Sequence, residues 1–110
     1  MFVMKTQYII TLGSRSNVSN AKPGWRAGRF DETDYANINT IVRNSGFPGS
    51  TVTRCKGFWN GQEEDSVQIV ILADDRKKVD GCAHELRGSF QQQAVMLSVA
   101  GTGEILTKKK

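Results

Sequence analysis

A hairpin signal in the middle of the chain, bracketed by two helix-patterned segments, restricts this sequence to few folds. Asn60-Gly61 separates two stretches able to extend, Thr51 to Trp59 and Ser66 to Ala73. That dipeptide suits the positive backbone angles of a tight hairpin turn. The second arm, SVQIVILA, is the richest β-forming run in the chain. Upstream, Tyr35, Ile38, Ile41 and Val42 recur at helical spacing, with Asp31, Glu32 and Asp34 where a helix N-terminus favours negative charge. Gly46 stands at the C-terminal cap, and Phe47-Pro48-Gly49 turns the chain. Downstream, Asp74-Asp75 caps a segment whose Val79, Cys82, Leu86 and Phe90 mark one apolar helical face. Gly81 and Gly88 weaken this second helix by about 1 kcal/mol each relative to alanine. Two outer runs complete the pattern: Gln7 to Leu12, ended by Gly13, and Ala94 to Ala100, ended by Gly101-Thr102-Gly103.

The order is βαββαβ, which predicts an α+β ferredoxin-like sandwich: an antiparallel sheet with both helices on one face. A monomer of this kind should alternate apolar and polar residues along its strands, because the second sheet face meets water. Three strands break that rule. Val67, Ile69 and Ile71 alternate with Gln68, Val70 and Leu72; Val95, Leu97 and Val99 alternate with Met96, Ser98 and Ala100; Tyr8 and Ile10 flank Ile9. An apolar second face marks an interface, so a homo-oligomer joined through it is expected. Closure of the long polar loop, 14–28, over the sheet is the competing arrangement. With 110 residues, the chain suits one domain spanning 1–110, with 1–5 and 105–110 frayed.

Composition narrows function mostly by exclusion. The net charge of +4 owes part of its excess to Lys108-Lys109-Lys110, and the remaining basic residues are interleaved with acidic ones. Such a balance permits nucleic-acid binding without requiring it. The central strands also carry Val, Ile, Leu and Met where an RNA-stacking sheet would carry aromatic rings and cations, which argues against nucleic acid. No apolar run reaches the roughly 20 residues of a membrane helix. The N-terminus lacks the pattern of a secretory signal, so no membrane association and a cytoplasmic location are expected. Cys55 and Cys82 have no metal-like spacing and read as reduced, buried thiols. The one histidine, His84, falls on the polar side of the second helix and reads as solvated. No metal site, Ser-His-Asp or Cys-His constellation, or phosphate-binding loop can be assembled.

Two segments remain as candidates. Gly13-Ser14-Arg15-Ser16-Asn17 concentrates backbone donors, hydroxyls, an amide and a guanidinium at the end of the first strand. A binding loop and a loop held by its own Ser and Asn side chains account for it equally well. The hairpin sets Phe58-Trp59 on one arm against Glu63-Glu64-Asp65 on the other. Rings beside carboxylates suit a cationic or flat aromatic ligand. On residues alone, a solvated acidic turn beside two core aromatics is the stronger account.

The same segments, in their order and spacing, resemble the phage-encoded S-adenosylmethionine lyases, formerly described as hydrolases. The resemblance runs through Tyr8-Ile9-Ile10-Thr11-Leu12-Gly13-Ser14-Arg15-Ser16-Asn17, a hydrophobic strand entering an Arg-Ser-Asn loop. It continues through Ile41-Val42-Arg43-Asn44-Ser45-Gly46-Phe47-Pro48-Gly49-Ser50 and returns at Glu63-Glu64-Asp65-Ser66-Val67-Gln68-Ile69, an acidic pair leading into a β-branched strand. It implies a ferredoxin-like subunit assembled as a trimer, with S-adenosylmethionine bound between subunits and no cofactor besides that substrate. It also implies cleavage to methylthioadenosine and homoserine lactone. The family's functional glutamate falls on Glu64, with Glu63 as the register alternative. Ser14, Arg15, Ser16 and Asn17 become substrate-loop candidates. A family tyrosine on the preceding strand is replaced by Phe58 or Trp59, so its hydroxyl role does not carry over.

The implied chemistry suits a chain with so few catalytic groups. The substrate's own carboxylate attacks its γ-carbon and expels a neutral thioether, so neither water nor metal is needed. The protein's task is to hold the methionine moiety in a near-attack conformation. A tight Arg15–carboxylate bridge would quiet that internal nucleophile, so Arg15 is expected to serve loop structure or a subunit interface. Hydrolysis would instead need a base beside water, a role Glu64 could also fill. In an infected bacterium, such an enzyme would act as an anti-restriction device by depleting a cofactor of host defence. The alternative is a non-enzymatic ferredoxin-like binding module, either a host-protein inhibitor or an RNA binder.

Overall fold

The computed structural model describes residues 2–13, 30–47, 49–59, 61–90, 92 and 95–106. The elements are β1 (Phe2–Gly13), α1 (Glu32–Asn44), β2 (Thr51–Trp59), β3 (Gln62–Ala73), α2 (Arg76–Ser89) and β4 (Met96–Leu106). This is the βαββαβ order anticipated from the segment pattern. Residues 14–17, and the rest of the 14–28 loop, lie outside the described residues.

Side chains at the helix boundaries account for where each helix starts. The Asp34 N–H donates to the Asp31 carboxylate and the Asp31 N–H to the Asp34 carboxylate, each at 2.9 Å. This reciprocal box satisfies donors that the first turn leaves unpaired. At the other end, Gly46 follows the Ser45 cap with φ of +96°, a backbone angle that glycine adopts without steric cost. Asp75 caps α2 by accepting the Lys77 N–H at 3.0 Å.

The strands form one antiparallel sheet in the order β2-β3-β1-β4, so β1 and β3 are central. Tyr8 pairs with Ile71, Ile10 with Ile69 and Leu12 with Val67, and all six are buried. They pack with Ile38 and Val42 of α1, Val79, Cys82, Ala83 and Leu86 of α2, and the flanking Phe30, Phe47 and Phe90. Both helices therefore cover the same sheet face. Each fully buried aliphatic side chain contributes about 1.5–3 kcal/mol. Both cysteines are free thiols. Burial pushes the Cys82 thiol above its ordinary range, and Cys55, half-buried on β2, is raised for the same reason.

The second sheet face is less uniformly apolar than the segment pattern predicts. Ile9 pairs with Val70 and Ser98, Gln7 with Leu72, and Thr11 with Gln68 and Met96. Ile9, Val70 and Leu72 are half-buried, Met96 is 64% exposed, and polar Gln7, Thr11, Gln68 and Ser98 lie among them. Val99 departs from the pattern as well, since it pairs with core Tyr8 yet sits on the edge strand and is 54% exposed.

Two boundaries also move. Strand β1 begins at Phe2 and β4 runs to Leu106, with Phe2 to Lys5 paired to Leu106 to Gly103. Gly101-Thr102-Gly103 does not end the last strand. The register shifts between Gln7 and Tyr8, and Gly101 takes φ of +113°, so the glycine carries β4 through a bulge.

Near the α2 N-terminus, the Lys5 ammonium donates to the Asp74 carboxylate at 3.2 Å. That hydrogen bond and the Lys5 charge hold the Asp74 carboxyl below its ordinary range. A depressed carboxyl stabilises the fold fully above the unfolded-state carboxylate range and loses that contribution as pH falls through the folded-state value. Because Asp74 is exposed, the effect on stability is small. Lys5→Met should raise the Asp74 midpoint in a carboxyl-detected NMR titration; an unmoved midpoint would assign the shift to the local backbone instead.

Candidate functional site

Strand β3 begins at Gln62 rather than Ser66, so the acidic run lies within the ladder rather than in the turn. Trp59 pairs with Gln62, Phe58 with Glu63, Gly57 with Glu64 and Lys56 with Asp65. Strand alternation therefore sends Glu63 and Asp65 to the helix side of the sheet and Glu64 to the opposite side. On the helix side the carboxylates meet cations from β2. Lys56 Nζ lies 3.3 Å from Glu63 Oε1, and Arg54 Nη2 lies 3.8 Å from Asp65 Oδ2. Phe58 extends this row and is 71% exposed. It is not a core aromatic. Trp59 is described through its backbone pairing alone.

Glu64 has a different setting. Its side chain crosses the sheet onto β1, where its carboxylate covers Gly13. A β-carbon built at Gly13 would lie 2.8 Å from Glu64 Cδ and 2.9 Å from Oε2. On the other side of Glu64, the β-carbon position of Gly57 is taken by the Ser66 hydroxyl, with Glu64 Cγ 3.9 Å away. Ser66 is buried. Two glycines on the flanking strands thus leave the space into which Glu64 and Ser66 pack. Gly13 is also the last residue of β1, so the carboxylate lies at the entry to the Ser14-Arg15-Ser16-Asn17 segment.

The structure thus separates the expected site residues. Glu64 is brought to the end of β1, on the helix-free face. Glu63 and Phe58 are on the other face and do not join it within one subunit. Ser14, Arg15, Ser16 and Asn17 lie outside the described residues. Sequence reading missed Gly13, Gly57 and Ser66 as parts of the glutamate's setting. The only available signal was the glycine directly opposite Glu64, and it needs the strand register to be read. His84 is exposed on α2. Among the described residues, no group of three or more His, Cys, Asp and Glu side chains could hold a metal ion.

A carboxylate in this position can pair with a substrate ammonium or accept its hydrogen bonds. A separate open cleft of about 770 Å³ lies toward the other end of the sheet. Phe47, Val70 and Leu72 give it apolar surface, and Lys5, Asp74 and Lys78 give it charge. None of the expected site residues lines it.

No protein-family model and no curated protein matches the chain by sequence. Solved structures do match by shape. A phage SAM lyase in complex with S-methyl-5'-thioadenosine aligns with a TM-score of 0.65 at 21% identity, covering 94% of this chain and 90% of that chain. The apo state of a phage SAM lyase gives 0.64 at 22% identity, covering 97% and 93%. CPII, a nitrogen regulatory PII-like protein from Thiomonas intermedia K12 bound to ADP, AMP and bicarbonate, gives 0.57 at 9% identity, covering 99% and 100%. Over nearly its whole length, this chain has the fold of the phage SAM lyases.

Proposed function

We propose that this protein cleaves S-adenosylmethionine to methylthioadenosine and homoserine lactone. The observation that carries the reading is the Glu64 carboxylate, held over Gly13, the residue that precedes Ser14-Arg15-Ser16-Asn17 in the chain. The shared fold with a SAM lyase that holds S-methyl-5'-thioadenosine supports it.

In this reaction one substrate carboxylate oxygen forms a bond to the γ-carbon as the γ-carbon–sulfur bond breaks. The bonding pair leaves with sulfur, so the sulfonium and carboxylate charges cancel and no proton is transferred. Glu64 binds the substrate ammonium and orients the methionine chain for ring closure. Orientation of this kind can supply several kcal/mol, because the reacting atoms meet without a second encounter. Ser14, Ser16 and Asn17 contribute neutral hydrogen bonds, and Arg15 serves the loop or a subunit contact. Phe58 and Glu63 lie across the sheet from Glu64, so any contact they make with substrate comes from a neighbouring subunit or around the β2 edge. Trp59 covers the adenine or sulfonium. The active form is a homo-oligomer, a trimer by resemblance, joined through the helix-free face that carries Ile9, Val70, Leu72 and Met96.

Purified protein incubated with S-adenosylmethionine should release methylthioadenosine, with homoserine lactone as the first co-product on chromatography. Homoserine appearing before the lactone would sink the intramolecular mechanism, and no turnover would favour a binding module. Glu64→Gln should lose most of the activity, whereas His84→Ala, altering an exposed helix residue, should retain it. Met96→Lys places a charge on the proposed interface. It should shift the oligomer toward monomer in light scattering and lower turnover in parallel; a fully active monomer would contradict the assembly.

A further inference from the structure

We infer that Gly13 is a positioning residue, whose missing side chain sets where the Glu64 carboxylate stands; the inference rests on the proposed role of Glu64. Glu64 pairs directly with Gly57 on β2, yet its carboxylate leans the other way, onto β1. Gly13 is the partner of Ser66, two residues along β3, so the Glu64 side chain runs diagonally across the ladder. Ser66, buried and with its hydroxyl at the β-carbon position of Gly57, fills the β2 side of this surface. The space over Gly13 is where the carboxylate sits.

Any β-carbon at residue 13 would enter that space. The atoms nearest to it all belong to the end of the Glu64 side chain, with Oε2 at 2.9 Å, and none is backbone. A flexible side-chain end can move aside at little energetic cost. Positive φ angles occur at Gly46, Gly61 and Gly101 but not at Gly13, so alanine there meets no backbone strain. Gly13→Ala should therefore leave the fold intact and displace one functional group. A general structural requirement for glycine would behave differently, because it would act whatever residue stood at 64.

The test is a double-mutant cycle with an independent structural readout. Gly13→Ala should keep the wild-type thermal midpoint and lower kcat by about 100-fold, the scale expected for an ångström of misplacement. In the Glu64→Gln background, the same substitution should change residual turnover by no more than about 2-fold, the usual error of additivity for uncoupled changes. In a crystal structure of Gly13→Ala, the Glu64 carboxylate should stand displaced from its wild-type place over residue 13. Equal losses in both backgrounds, failure of Gly13→Ala to fold, or an unmoved Glu64 carboxylate would each overturn the inference. If the wild-type protein does not turn over S-adenosylmethionine, the functional reading fails and the place of the Glu64 carboxylate alone decides the positioning claim: a displaced carboxylate upholds it and an unmoved one overturns it.

Discussion

The register between the two central strands is the constraint on which the rest of the structure depends. Ile10 opposite Ile69 and Leu12 opposite Val67 place four fully buried side chains under the helices. A slip of one residue would turn that set toward the open face and lose several kcal/mol of burial. Burial of the core thereby determines the direction of every residue upstream on β3. Because Val67 must face the helices, Ser66 and Glu64 must face away, and Asp65 and Glu63 must share the helix side. A packing requirement at the middle of the sheet thus decides which of two adjacent glutamates reaches the end of β1.

The two glutamates then meet different surroundings. Glu63 faces Lys56, a cation on the neighbouring strand, as part of an exposed row of charge pairs that adds little to stability. Glu64 lies against backbone, over a glycine, beside a buried serine. A reaction whose nucleophile and activated leaving group both belong to the substrate asks the protein only for grip and geometry. One carboxylate on a rigid central strand can supply much of that, because strand residues are held more tightly than loop residues. The PII-like neighbour shows that this fold also accommodates a protein that binds adenine nucleotides. Chemistry is therefore a property of the site and not of the fold.

Much of the fold was legible because its boundaries rest on local chemistry. Asp31, Gly46 and Asp75 mark helix ends through their own hydrogen bonds or backbone angles, and Asn60-Gly61 marks the hairpin wherever the rest of the chain goes. The elements that sequence misplaced depend on a distant partner. Gly101-Thr102-Gly103 resembles a stop signal, yet pairing with Lys5 to Gln7 carries β4 through it by way of a bulge. The acidic run resembles a turn, yet pairing with Lys56 to Phe58 makes it strand. The site was half legible. The resemblance pointed to Glu64, but its separation from Glu63 and Phe58 follows from register. The space over Gly13 is defined by a side chain that is absent, and residue pattern carries no trace of what fills it.

The proposed reaction requires that substrate engage Glu64 on the helix-free face, at the end of β1. The most direct measurement is a structure of the Glu64→Gln variant with intact S-adenosylmethionine bound. The methionine moiety of the substrate should lie against residue 64, over Gly13 and beside the segment that begins at Ser14. Substrate bound so that residue 64 is untouched, for example wholly within the cleft formed by Lys5, Phe47, Leu72 and Lys78, would contradict it.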